Sequence, residues 1–212
     1  IETLKTEKYN DPISGSCLTI DKVGNLYIAG TMQGTVDFSQ GKKIDVLENE
    51  SCAFIWKLNP LGEHLWVSKI SGNNDENEYS ISPYGICIGQ NSDIYLRGNL
   101  YGNVVLSQAS GVINLGSRNS ASVFLSRVDS LGNIIWFNAW GDNLNNQLND
   151  FKMGPSGELS LIGSFIDTLV DLKTGKEFLV GDGEVNLFII RTDSNGNVIQ
   201  KFSVGGQSGW CH

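Results

Sequence analysis

The residues best suited to chemistry gather in a few places. Asp75, Glu76 and Glu78 crowd into the hexapeptide NNDENE at 73–78. Neighbouring carboxylates resist joint ionisation, so one is pushed to keep its proton. That suits general acid–base work or the gathering of a cation, and a polar loop has the same composition when it only meets solvent. Asp193, Asn195 and Asn197 in DSNGN partly match the D-x-[DN]-x-[DN] calcium pattern. No Glu falls where the distal bidentate ligand belongs, and the related turns DKVGN and DSLGN lack the middle ligand. These segments therefore read as hairpin turns, and no metal site is assigned. Trp140 and Trp210 stand near links between repeats, where a rim aromatic can stack on a sugar ring. Trp66 and Trp136 occupy equivalent repeat positions and read as core. The histidines are His64, beside a turn, and His212, and no H-E-x-x-H, G-x-S-x-G, P-loop or dinucleotide fingerprint occurs. The candidate ligand-binding residues are thus Trp140, Trp210, Asp75 and Glu76. No catalytic residue and no cofactor are assigned.

Two further sets of reactive side chains read as structural. Cys17, Cys52, Cys87 and Cys211 are widely spaced with no C-x-x-C, which argues against zinc and thioredoxin-like chemistry. A buried free Cys packs as a small apolar residue, and Cys17 and Cys87 fall near equivalent places in the repeat, so structural free thiols are expected, with one disulfide as the alternative. Lys57, Arg127 and Arg191 recur at one repeat position, which is a packing signal. Asp37 or Asp171 on the neighbouring hairpin is the expected partner, although Val105 breaks the pairing in the second repeat.

What positions these residues is an internal repeat. LTIDKVGNLYIAG (18–30), ICIGQNSDIYLRG (86–98) and FKMGPSGELSLIG (151–163) align. So do the later halves, SCAFIWKLNPLGEHLWVSKISG (51–72), ASVFLSRVDSLGNIIWFNAWG (121–141) and VNLFIIRTDSNGNVIQKFSVGG (185–206). Gly30, Gly98 and Gly163 anchor a period of about 67 residues. Each half is a strand, a turn rich in Asp, Asn and Gly, and a strand. Asp or Asn first and Gly fourth suits a type I turn closed by a left-handed Gly. Between the second and third strands lies an insertion with the pattern of a further small hairpin, as in GTVDFSQGKKIDVL. No segment shows capped helical periodicity.

Composition agrees. Of 212 residues 40% are hydrophobic and 18% charged, enough for a core and too apolar for a disordered chain. The net charge of −8 argues against nucleic acid. No apolar run reaches the roughly 18 residues of a membrane helix, so no membrane insertion is expected. The chain starts at Ile1 without a signal-peptide pattern, which reads as a processed or partial chain.

Four-stranded repeats that cannot bury their own faces predict an all-β β-propeller. GNLYIAGTMQGTVDF followed by AFIWKLNPLGEHLWVSKISG resembles the seven-bladed β-propeller repeat family (SBBP repeats) of bacterial, mostly exported proteins. The first repeat matches at Gly24, Asn25, Tyr27, Gly30, Gly34, Asp37, Phe38, Phe54, Lys57, Gly62 and Trp66. The second keeps Tyr95, Gly98, Gly102, Phe124, Arg127, Asp129, Gly132 and Trp136. The third keeps Gly157, Gly163, Asp171, Phe188, Arg191, Asp193 and Gly196, with Ser160 for the Tyr and Gln200 for the Trp. The G-x-x-x-W ending is also similar to quinoprotein propeller repeats, whose cofactor-site residues have no counterparts here.

The organisation expected is a link at 1–16, blade 1 at 17–72, a link at 73–84 and blade 2 at 85–141. A link at 142–149, blade 3 at 150–206 and a tail or the start of a further blade at 207–212 complete it. Three blades fall short of the usual four to eight, so the chain reads as part of a larger ring, completed by the rest of its own propeller or by another copy. The resemblance implies a secreted or cell-surface protein. The expected role is a non-catalytic binding or structural module whose loops contact a protein or surface glycan. A carbohydrate-active propeller enzyme and a sugar-binding lectin are the alternatives.

Overall fold

The computed structural model describes residues 5–6, 13–39, 46–71, 80–102, 104–108, 111–115, 121–141, 144, 146–182 and 184–205. Among them every regular element is a strand, and no helix is long and apolar enough to cross a membrane. In chain order they begin with β1 (Lys5–Thr6), β2 (Ile13–Ile20), β3 (Leu26–Asp37), β4 (Val46–Leu58) and β5 (His64–Ile70). β6 (Ser80–Ile88), β7 (Ile94–Tyr101), β8 (Val104–Gln108), β9 (Gly111–Leu115), β10 (Ser122–Val128) and β11 (Ile134–Gly141) follow. The last are β12 (Gln147–Met153), β13 (Leu159–Phe165), β14 (Thr168–Asp171), β15 (Lys176–Val180), β16 (Asn186–Thr192) and β17 (Val198–Gly205).

These strands form three successive antiparallel meanders, β2–β3–β4–β5, β6–β7–β10–β11 and β12–β13–β16–β17, within four open sheets. The insertions are hairpins, as their alternating pattern predicts. In the first repeat the hairpin prolongs β3 and β4, pairing Asp37 with Val46. In the second, β8 and β9 form a sheet of their own. In the third, β14–β15 folds back onto the preceding meander, where Trp140 pairs with Asp171 and Gly141 with Val170. That hairpin covers the edge of β11, which would otherwise present unpaired backbone groups.

The repeated glycine has a steric cause. The first strand of each meander carries a bulge at the same place, between Gly15 and Cys17, Pro83 and Gly85, and Leu148 and Asp150. Beside it stands Gly30, Gly98 or Gly163, paired across the sheet with Phe54, Phe124 or Phe188. A Cβ on any of these glycines would collide with the carbonyl oxygen of Ser14, Ser82 or Gln147 and with the phenyl ring. The bulge brings the backbone in, and the aromatic ring fills the space a side chain would take. Because bulges break the apolar alternation, they hide the start of each first strand. β2, β6 and β12 begin at Ile13, Ser80 and Gln147, inside the stretches expected to be links.

The meanders stack in a repeating order. One face of the first (Tyr27, Ala29, Ala53, Ile55) shares a buried cluster with Ile94, Leu96 and Phe124 of the second. The other face of the second (Tyr95, Val123, Leu125, Trp136) shares a cluster with Leu159, Leu161 and Phe188 of the third. β6 rides across β2, β3 and β4, and β12 across β6, β7 and β10. Each meander thus has a rear face, toward its predecessor, and a forward face, toward its successor. Burial on both faces explains the near-continuous apolar character of the middle strands.

Candidate functional site

The register places both hairpin turns of a meander at one end of its sheet. Ile20 pairs with Leu26, Leu26 with Leu58, and Leu58 with His64. A Cβ on Gly24 would lie 3.2 Å from Pro60 Cγ, so the two turns of the first repeat touch. The insertion hairpins emerge at the opposite end. The turn end is the candidate functional surface.

Its scaffold is a repeated carboxylate device. Asp193 Oδ1 accepts from the backbone N–H groups of Asn195 and Asn197 at 2.8 and 2.9 Å, and Oδ2 accepts from Asn197 Nδ2 at 2.9 Å. Asp129 and Asp21 make the same set with Leu131 and Asn133, and with Val23 and Asn25. Asn59 Oδ1 accepts from the Leu61 and Glu63 N–H groups in the same way, while its Nδ2 donates to Glu63 Oε2 at 2.8 Å. The fourth residue closes the turn at positive φ, as in Gly132 at 92°, a conformation open to Gly at no steric cost. Both oxygens of Asp193 are therefore engaged within its own turn, the hairpin reading rather than the calcium one.

Hydrogen bonds from the Asn197 side chain and the Asn197 and Asn195 backbone hold the Asp193 carboxyl below its ordinary value. At Asp129 and Asp21 desolvation pushes upward, but the same hydrogen bonds outweigh it and the net shift is down. A carboxyl more acidic when folded than its unfolded value of about 3.9 adds stability above that pH. The contribution disappears as pH falls through the depressed folded values. Thermal midpoints measured from pH 6 downward should therefore drop below about pH 4. Asp193→Asn, the residue type that Asn59 supplies naturally, should flatten part of that decline.

The turn tips are unexpectedly apolar. Leu61 is 84% exposed, and Val23 and Leu131 protrude similarly. Each is the third residue of its turn, where the third repeat has Asn195. A groove of about 160 Å³ opens between the first-hairpin turns of the first two meanders, lined by Ile20, Val23, Ile88 and Gln90 among others. These apolar third positions were visible in the sequence within otherwise polar turns, and went unremarked among the candidate residues.

Beneath the tips a cation recurs within each meander, and at Arg127 it also reaches the next one. Arg127 donates to Asp93 Oδ2 from Nε at 3.0 Å and from a terminal nitrogen at 2.5 Å, and to the Ser194 carbonyl at 2.9 Å. Arg191 lies 3.8 Å from Glu158, and Lys57 lies over the rings of Tyr27 and Trp66. This corrects the expected pairing. Asp37 instead accepts from the Ser39 N–H, and Asp171 caps Lys173 and Thr174. The two arginines meet acids at the fifth position of the first-hairpin turn, which registers beside them.

The sequence-selected site residues fare differently. Asp75, Glu76, Glu78 and Trp210 lie outside the described residues. Trp140 is 1% exposed and packs on Phe178 with ring centroids 5.5 Å apart. It is a core residue and not the rim aromatic expected, because the β14–β15 hairpin of the next repeat closes over it. Trp136 is buried and Trp66 half-buried, as their repeat position predicts. His64 Nδ1 accepts from Trp56 Nε1 at 3.0 Å, a packing role. Cys17, Cys52 and Cys87 form no disulfide among the described residues. Burial pushes the Cys17 thiol up to about 11 and the Cys87 thiol up to about 12, far from a reactive thiolate. The two thiols are not at one repeat position. Cys17 pairs with Ala29 and Cys87 with Tyr95, two places apart, so the counterpart of Cys17 is Gly85.

No protein-family model matches the chain, and no curated protein matches it.

Proposed function

We propose that the chain is a non-catalytic binding or structural module of an exported or cell-surface repeat protein. In this reading its three meanders are blades of a β-propeller, and the turn end is the contact surface. The observation that carries it is the row of aliphatic tips, Val23, Leu61 and Leu131, held out at one end by turns whose polar groups are already satisfied. Solvent-exposed aliphatic groups on a rigid base lose little freedom on contact and gain from leaving water. The repeated bulge, glycine and phenyl device and the repeated stacking order support the propeller arrangement. So does the resemblance of the repeats to the SBBP family, which also suggests export. The partner is a protein or surface glycan with an apolar contact face.

The test is binding of the purified chain to extracellular peptide and glycan arrays, beside a panel of chromogenic glycosides. The expected outcome is retention of one ligand class without glycoside turnover. Replacing Val23, Leu61 and Leu131 together by Ser should weaken that binding at least about tenfold at an unchanged melting temperature. Turnover of a glycoside, or binding indifferent to the triple replacement, would refute the reading.

A further inference from the structure

We propose that copies of this chain associate head to tail, the forward face of the third meander receiving the rear face of the first meander of a second copy. The inference rests on the stacking of meanders and stands whether or not the turn end binds anything.

Within the chain the same contact is made twice. At each junction the forward face offers equivalent positions in the middle and last strands, and all of them are buried. Ala53, Ile55 and Ile70 serve at the first junction, and Val123, Leu125 and Trp140 at the second. In the third meander these positions are Leu187, Ile189 and Val204, as the pairings of Leu187 with Val204 and Ile189 with Phe202 show. They remain apolar although no described residue buries them as the earlier counterparts are buried. Val204 is 59% exposed where Ile70 is 2% and Trp140 is 1%. Leu187, Ile162 and Phe202 are exposed beside it. A concavity of about 230 Å³ lies on this face between Ser160, Ile162 and Ile189.

On the rear face of the first meander Phe38 closes over Phe54 and Trp56, and the part left open is the side of the first strand. In the second and third meanders the first strand inserts Ile86 and Ile88, or Phe151 and Met153, into the cluster shared with the preceding meander. The counterparts on β2 are Leu18 and Ile20, which pair with Ile28 and Leu26. Both are exposed, Leu18 at 64%.

The polar part of the junction repeats as well. The second-hairpin turn of the later meander docks on the last strand of the earlier one. Ser68 Oγ donates to the Gly132 carbonyl at 2.6 Å. Asn138 Nδ2 donates to the Gly196 carbonyl at 2.7 Å, and Trp136 Nε1 to that of Ser194 at 3.1 Å. A Cβ on Gly132 would meet Ser68 at 2.6 Å, and one on Gly196 would meet Trp136 at 2.8 Å. On the open forward face Arg191 and Gln200 occupy the places of Arg127 and Trp136. Two surfaces that match the two halves of a contact made twice already form a heterologous interface between copies. Two chains would bring six meanders together, within the range of about four to eight that closes a propeller.

The experiment is light scattering on the eluting 212-residue chain over a concentration series, with two blocked variants. Leu18→Glu with Ile20→Glu blocks the rear face, and Leu187→Glu with Val204→Glu blocks the forward face. The substituted positions are exposed, so circular dichroism should match the unsubstituted chain. The unsubstituted chain should run at twice the monomer mass or as a longer head-to-tail series. Each variant alone should be monomeric, its self-association weakened more than about tenfold. Mixed together, the two variants should form a one-to-one complex through the single intact pair of faces. A chain monomeric at every concentration overturns the proposal and assigns the face to a further meander of a longer polypeptide. A variant that still dimerises alone, or a mixture that gives no complex, overturns it as well.

Discussion

Gly98→Ala should destabilise the protein strongly, although it adds a single methyl group. The Cβ would collide with the Ser82 carbonyl oxygen and stand 2.8 Å from both Phe124 Cε1 and Pro83 Cα. The phenyl ring is buried against Phe137, with centroids 4.8 Å apart, and has no room to turn aside. The carbonyl belongs to the backbone beside a bulge and is held in the β6–β7 ladder. Relief therefore requires that ladder to separate. Overpacking that displaces backbone costs about 3 kcal/mol or more. For a chain of this length that lowers the thermal midpoint by roughly 6–12 °C. Gly15→Ala is the control. Its Cβ would have only an ordinary contact at 3.6 Å, to Ile28 Cγ2. It should be neutral or slightly stabilising, since Ala loses less freedom than Gly on folding. Gly30→Ala and Gly163→Ala should repeat the Gly98 result, because they meet the Ser14 and Gln147 carbonyls in the same way. Equal melting temperatures for Gly98→Ala and Gly15→Ala would show that the bulge does not impose the glycine.

The same glycine shows where the sequence is legible and where it is not. The repeat of Gly30, Gly98 and Gly163 is visible by alignment, and so is that of Phe54, Phe124 and Phe188. Their mutual dependence is not, because it arises across strands. Turns were readable because their chemistry is local: Asp193 and Gly196 act within five residues of each other. First strands were readable only in their second halves, since the extra residue at Ser16, Tyr84 and Asn149 shifts the alternation by one place. Trp140 was misplaced for a long-range reason. The segment that covers it, around Phe178, belongs to the next repeat and folds backward. Arg127 is left without an expected partner in the sequence, because Val105 stands where the neighbouring hairpin would supply the acid. The register decides, setting Arg127 beside Tyr95 on β7, close to Asp93. Function was the least legible, because repeats that specify a fold carry no information about what the turn tips meet.

Arg127→Met should cost more than any other removal of a surface-named charge in this chain, about 3–5 kcal/mol. The side chain of Arg127 is 16% exposed and that of Asp93 12%, so water cannot replace the lost partner. Removal strands the Asp93 carboxylate and frees the Ser194 carbonyl in the next meander. It also takes the guanidinium from the face of Tyr95, 5.8 Å from the ring centroid. Arg127→Lys should recover only part of the loss. An ammonium is a single point, whereas the planar fork reaches Asp93 and Ser194 together. Removing both charges in Arg127→Met with Asp93→Asn should be less damaging than Arg127→Met alone, because no isolated carboxylate remains. Arg191→Met supplies the comparison within the same fold. Its side chain is 40% exposed and its acid, Glu158, lies 3.8 Å away, so solvent screens the pair and the expected cost is below about 1 kcal/mol. Urea unfolding of the four variants measures all these differences on one scale. Equal losses at Arg127 and Arg191 would mean that the repeated cation acts through its aliphatic stem. A large loss at Arg127 alone would mean that the guanidinium, anchored by Asp93 within the second meander, is what holds the Ser194 carbonyl of the third.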